Sequence, residues 1–220
     1  MVFNKPEVDK MLSMARKLGF SVVGLTLEDV DMKPLDIKPP ENLKVVWRLD
    51  LTRDKTQPKT IDKLRKLFSI IAVSCSSRDE FRAVLKTRVD LIFQKKLFAL
   101  NLSDVRVLAS SGKFFELNFK PLIYARGFEM VNVIKVLRRN VELLRKMKIP
   151  IIISSWASNP YEVTPPLELP QFLTLADVNV QEFYRCVSEE PARLLELSTS
   201  KRMGLPNGVR ILGREYYEDV

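Results

Sequence analysis

Ser69-Ile70-Ile71-Ala72-Val73-Ser74 is the stretch on which the fold turns. It is uncharged, and its apolar residues run on without polar alternation. A strand reads this way when both faces of its sheet are covered, as in a parallel sheet. Pro150-Ile151-Ile152-Ile153-Ser154 repeats the signal near the other end of the chain. Helix-period segments lie between such runs, which predicts βα units.

Working outward, Ser77 is placed to cap a helix, with Glu80 at the third helical position of a capping box. Thr60 is a candidate cap for a helix reaching about Leu67, after a polar loop over 52–59. Leu43–Leu51, Val89–Phe93 and Phe114–Phe119 read as strands, and Val22–Leu25 as a shorter one after the helical Val8–Leu18. Ser103 is a candidate cap for a helix that stops at Gly112, a residue suited to a left-handed C-cap. The longest predicted helix is Gly127–Met147. Met130, Ile134, Leu137, Val141 and Leu144 step by four and three along it and form one apolar stripe. Helical segments are expected at about 165–175, 180–187 and 191–200, closing the chain. Six strands are clear, and Val2-Phe3 is a candidate stub of a seventh. No linker divides residues 1–220, so one domain is expected.

Consecutive βα units either close a barrel or leave a doubly wound open sheet. The chain has seven glycines and neither a GxGxxG nor a GxxxxGK[ST] motif, which weakens the second option.

Histidine is absent. That excludes Ser-His-Asp and Cys-His catalysis and any histidine-held metal cluster. An all-carboxylate site is the remaining route to bound Mg²⁺, with Asp50, Asp90, Glu116 and Glu162 near strand ends as its candidates. Ser154-Ser155 follow the last strand but have no base, and read as loop or cap hydroxyls. Cys75 and Cys186 read as buried, inert thiols. No apolar run is long enough to span a membrane, and the charged start does not resemble a secretory signal.

The net charge is +9 and is unevenly spread. Residues 51–96 hold twelve Lys/Arg against five Asp/Glu, and 158–200 hold two against seven. A cationic region of this kind favours a polyanion, nucleic acid first. Arg78, Arg82 and Lys86 recur at i, i+4 and i+8, which would align them on one helix face. Arg88, Lys96, Arg106 and Lys113 flank the neighbouring strand and turns, as does Lys95.

Three stretches carry a family resemblance. They are Lys17-Leu18-Gly19-Phe20-Ser21-Val22-Val23-Gly24, Ala109-Ser110-Ser111-Gly112-Lys113-Phe114-Phe115-Glu116-Leu117, and Ile151 through Val163 (IIISSWASNPYEV). Pro166-Leu167-Glu168-Leu169 and Glu190-Pro191-Ala192-Arg193-Leu194-Leu195 follow in order. The chain resembles protein component 3 of archaeal and eukaryotic ribonuclease P, the thirty-kilodalton subunit family. The resemblance implies a distorted TIM-like barrel of about seven mostly parallel strands. That barrel is related to the polymerase-and-histidinol-phosphatase type, with its ancestral metal ligands lost. It also implies a subunit that supports a catalytic RNA in removing the 5′ leader of precursor tRNA. The implied partners are the ribonuclease P RNA, other ribonuclease P proteins, and a small ferredoxin-like subunit in a two-plus-two assembly. No cofactor is expected on this chain; Mg²⁺ is expected at the RNA. Carried over by resemblance, Arg88, Arg106 and Arg193 are RNA-binding candidates; charge adds Lys113, Lys201 and Arg202. A cytoplasmic location is expected. The family usually opens on a strand with an Asp, whereas only Met1-Val2-Phe3 precede the first helix here, so a thin barrel edge is expected. The rival reading is a free-standing barrel phosphoesterase, with a phosphate-lined pocket at the C-terminal ends of the strands.

Overall fold

The computed structural model describes residues 5–176 and 179–205. Its chain order is α1 (Lys5–Lys17), β1 (Val22–Leu27), β2 (Lys44–Leu51), α2 (Pro58–Leu64), β3 (Ile70–Cys75), α3 (Arg78–Val84), β4 (Leu91–Gln94), α4 (Leu102–Ser111), β5 (Phe114–Asn118), α5 (Lys120–Tyr124), α6 (Gly127–Lys146), β6 (Ile151–Ser154) and α7 (Glu189–Arg202). Short 3₁₀ segments occupy Arg53–Lys55, Pro160–Glu162, Leu169–Ala176 and Val180–Val187.

The six strands pair in sequence order, β1 through β6, and every pair is parallel. A doubly wound sheet reverses its strand order at a switch point. This sheet does not, and it curls into a half-barrel, the distorted TIM-like form that the sequence left open. The stub at Val2-Phe3 lies outside the described residues.

Each strand sends alternate side chains to opposite faces. Ile71, Val73, Ile92, Phe115, Leu117, Ile151 and Ile153 meet the helices in the main core. Ile70, Ala72, Leu91, Phe93, Phe114 and Ile152 point the other way, where Leu194 of α7 packs on them. Both faces are therefore covered, which is why the strands are continuously apolar. Leu137, Val141 and Leu144 of the α6 stripe are buried in the main core.

Local chemistry sets the helix ends. Ser77 accepts from the Glu80 amide, and Glu80 accepts from the Ser76 amide, close to the expected box. Gly112 ends α4 at φ 65°, in the left-handed region where glycine carries no Cβ penalty. Two expected caps are corrected. Asn101, not Ser103, caps α4 by accepting from the Asp104 amide, and Ser103 donates to Asn101. α2 starts at Pro58 after Gln57, so Thr60 lies inside it; proline is pre-organised for the first turn. α5 was not anticipated, and two of the three closing helical segments are 3₁₀ rather than α.

Candidate interior site and nucleic-acid interface

Within β2, after Lys44 at its start, the apolar run is broken by Arg48 and Asp50, which fall on one face two residues apart. That face turns inward beside Ile70 and Ala72 of β3. Glu116 of β5 reaches the same interior. Arg48 Nε donates to Asp50 Oδ1 at 2.6 Å, and Nη2 to Oδ2 at 3.2 Å. Its Nη1 and Nη2 donate to Glu116 Oε1 and Oε2 at 2.8 and 2.7 Å. The guanidinium also lies 5.1 Å from the Phe93 ring centroid and 5.9 Å from that of Trp156. All three charged groups are buried.

Two carboxylates around one cation leave the cluster one negative charge in excess. Burial pushes the Asp50 carboxyl up to about 6; Arg48 pulls it down, while Glu116 and Glu28 push it further up. Burial also works against ionised Glu116, but Arg48 offsets it by charge and hydrogen bond, and Glu116 stays below its ordinary value. Asp50 is thus the member that takes up a proton.

Of the four carboxylates considered for Mg²⁺, only Asp50 and Glu116 come together, and Arg48 spans them. Asp90 lies at the opposite end of the strands, just before β4. Its Oδ1 and Oδ2 accept from Arg65 Nη1 at 3.1 and 2.9 Å, and Oδ1 also accepts from Lys201 Nζ at 2.9 Å. Oδ2 further accepts from the Ile71 amide and the Ser198 hydroxyl. Glu162 is in the Pro160–Glu162 turn, bonded by Tyr124 and the Ser158 amide. Among the described residues no group of three or more His, Cys, Asp or Glu is arranged to hold a metal ion. Cys75 and Cys186 are free and buried, and burial pushes both thiols up to about 12, as expected of inert thiols.

The predicted RNA-contacting cations do not form one row. Arg78 and Arg82 both turn onto buried Asp104 of α4, at 3.1 and 2.6 Å, and so clamp α3 to α4. Lys86 lies beyond α3, which ends at Val84, so the anticipated i, i+4, i+8 ridge is broken. Arg88, in the turn before β4, pairs with Asp62 at 3.3 Å while staying largely exposed. Lys86, Lys96 and Arg106 are exposed. Lys113 is the plain correction. It is buried, its Nζ donates to the Leu85 carbonyl, and burial together with nearby Lys201 lowers its pKa. Lys201 is half-exposed but tied to Asp90. Arg202 is partly buried at the end of α7. Arg193 pairs with Glu190 at 3.2 Å and lies over the Phe114 ring at 5.4 Å.

Arg48 and Asp104 escaped the sequence reading. The signal for Arg48 was present as two opposite charges at i, i+2 inside an apolar strand, facing a lone Glu in FFELNF. Asp104 gave no signal, because an acidic residue in a helix's first turn needs no buried partner.

This arrangement defines an α/β half-barrel whose strand-end interior is closed by an ion cluster and whose accessible cations are spread over its outer helices and turns. No helix among the described residues is long and apolar enough to cross a membrane. The chain belongs to the RNase P subunit p30 family, whose profile matches residues 3–203. Ribonuclease P protein component 3 of Methanosarcina mazei is 24% identical over 218 residues, covering 94% of this chain and 90% of the relative. That of Methanosarcina barkeri is 26% identical over 215 residues, covering 93% and 89%. A chain in a cryo-EM structure of archaeal ribonuclease P with mature tRNA has the same fold, with a TM-score of 0.74 at 20% identity, covering 97% of this chain and 96% of that one.

Proposed function

We propose that this chain is a non-catalytic protein subunit of ribonuclease P that supports the catalytic RNA in removing the 5′ leader of precursor tRNA. The carrying observation is the family match over residues 3–203. The interior supports the non-catalytic part. Where the rival phosphoesterase needs a phosphate-lined pocket, Arg48 is already saturated by Asp50 and Glu116 and flanked by Phe93 and Trp156. Bond cleavage then belongs to the RNA and its Mg²⁺, and this chain binds no cofactor. Its partners are the RNA, a small ferredoxin-like subunit in a two-plus-two assembly, and other ribonuclease P proteins, in the cytoplasm.

The proposed protein contribution is electrostatic. Lys86, Arg88, Lys96 and Arg106 are exposed cations open to phosphate, Arg88 while paired with Asp62. Arg78, Arg82, Arg193 and Arg202 are secondary contacts, and Lys201 contributes field while tied to Asp90. Each phosphate contact releases counterions, so replacing two cations lowers the salt slope of RNA affinity by about 2. Arg88→Ala with Arg106→Ala in reconstituted enzyme tests this: weaker precursor cleavage and a flatter salt dependence are expected. An unchanged slope removes those two residues from the interface. Precursor cleavage by the isolated polypeptide would overturn the proposal as a whole.

A further inference from the structure

We infer that Arg65 is a positioning residue for the Arg88 phosphate contact: it fixes the Arg88 backbone from inside the protein, while Asp62, on α2, holds the Arg88 guanidinium from outside until phosphate displaces it. This deepens the subunit reading and rests on Arg88 meeting RNA.

Arg65 follows α2 directly and is buried. Its Nη1 donates to both oxygens of Asp90, at 3.1 and 2.9 Å, and to Ser198 Oγ at 3.3 Å. Its Nη2 donates to the Arg88 carbonyl at 2.8 Å. Asp90 is itself built into the sheet: its amide donates to the Ile71 carbonyl, and its Oδ2 accepts from the Ile71 amide. One rigid guanidinium fork therefore ties the turn that carries Arg88 to β3. The turn is closed on its other side, where the Thr87 amide and hydroxyl both donate to the Val84 carbonyl. A backbone pinned in this way loses little further freedom when the Arg88 side chain meets a ligand.

The head of Arg88 is held differently. Its Nη1 meets Asp62 Oδ2 at 3.3 Å, and the two side chains are 67% and 57% exposed. Among the described residues the rest of this guanidinium has no protein acceptor. An exposed pair with one long contact is weak, whereas a phosphate can take the arginine fork through two charge-assisted bonds. The surrounding charge favours that exchange. Residues 55–77 hold five Lys/Arg and a single acid, Asp62. Lys63, Lys66 and Lys86 are exposed. The other acids of these elements face elsewhere: Asp79 and Glu80 are in the first turn of α3, at the end away from Arg88, and Asp90 is buried against Arg65 and Lys201. Asp62 is thus the carboxylate that competes with phosphate for Arg88.

The test uses Arg65→Lys, which keeps a cation for Asp90 but, as a single ammonium, loses the second arm to the Arg88 carbonyl. Asp90 also keeps Lys201, so the variant should fold. Affinity for ribonuclease P RNA is measured over a KCl series with the full chain in its reconstituted protein set. Arg65→Lys, Asp62→Asn and Arg88→Ala are compared, with the first two also combined with Arg88→Ala. Arg88→Ala should weaken binding about tenfold and lower the salt slope by about 1. Arg65→Lys should weaken it about threefold, and Asp62→Asn should strengthen it about threefold, the scale of one exposed ion pair. The larger part of both effects should vanish once residue 88 is alanine, because each acts through that side chain. A loss from Arg65→Lys that persists undiminished beside Arg88→Ala overturns the inference, since a loosened fold needs no Arg88. Unfolding of Arg65→Lys, or weaker binding by Asp62→Asn, overturns it too. If Arg88→Ala has no effect, the RNA reading of Arg88 falls together with the inference; if it acts and the double variants are additive, the inference falls alone.

Discussion

The two ends of one sheet bury charge in opposite ratios. At the C-terminal ends of the strands, one cation, Arg48, is shared by Asp50 and Glu116. At the N-terminal ends, one carboxylate, Asp90, is shared by Arg65 and Lys201. The first cluster joins two strands, β2 and β5, and is sealed. The second joins elements far apart in sequence. Arg65 Nη2 also donates to the Arg88 carbonyl at 2.8 Å, and Ser198 of α7 donates to the Ser69 carbonyl at 2.5 Å. The upper cluster therefore fills the barrel, while the lower one ties the last helix to the sheet. The contrast bears on function too. The upper cluster removes a strand-end pocket, and the lower one engages Lys201, and through its field Lys113, which the charge pattern alone had assigned to RNA.

The largest effect is expected from breaking the upper cluster. Arg48→Met leaves two carboxylates buried without their cation and should cost about 3–5 kcal/mol of stability in urea unfolding. Replacing Arg48, Asp50 and Glu116 together with apolar residues of similar volume should recover most of that loss, because the desolvation penalty leaves with the charges. Next, Asp90→Ala strands Arg65 in the interior and should cost about 3 kcal/mol. It should also speed amide exchange across α7, whereas Arg48→Met should leave α7 no more exposed than the rest of the chain. This difference separates a filler from a tether.

A pH series sharpens the comparison. Asp50 is held at about 6 in the fold, above its unfolded value of about 3.9. The folded state thus keeps a proton that the unfolded state has released. The resulting stability is present below about pH 4 and is lost as pH rises through about 6, an amount near 3 kcal/mol at about 1.4 kcal/mol per unit. Asp50→Asn should remove this dependence, so its stability cost relative to the natural chain should shrink between pH 4 and pH 7.

Smaller effects belong to the outer helices. Arg78→Ala or Arg82→Ala alone should cost about 0.5–1 kcal/mol, since the other arginine still covers Asp104. The double variant should cost more than the sum, because it leaves a buried carboxylate unpaired. Arg88→Ala loses an exposed pair with Asp62 and should change stability by about 0–1 kcal/mol. Any loss of precursor cleavage by that variant then reflects RNA contact rather than unfolding.

Much of the architecture was legible because it rests on local rules. Continuous apolar strands, the Ser77 cap, the αL glycine at 112 and the α6 stripe each follow from a few neighbouring residues. The candidate surface was less legible. Exposure depends on which neighbour a long side chain finds, and a lysine preceding a strand reads alike whether it meets RNA or the Leu85 carbonyl. Cap choice failed for the same reason on a smaller scale: Asn101 and Ser103 are both capable, and the entering backbone selects Asn101.

By itself the sequence determined the alternation of strand and helix, the absence of histidine chemistry, the cationic excess and the family resemblance, because all of these reside in residue type and spacing. Only the tertiary structure decided the sequential strand order, the pairing of Arg48 with a carboxylate 68 residues away, and the burial of Lys113. Those depend on which segments meet when the sheet curls, and long-range proximity leaves no local trace in the chain.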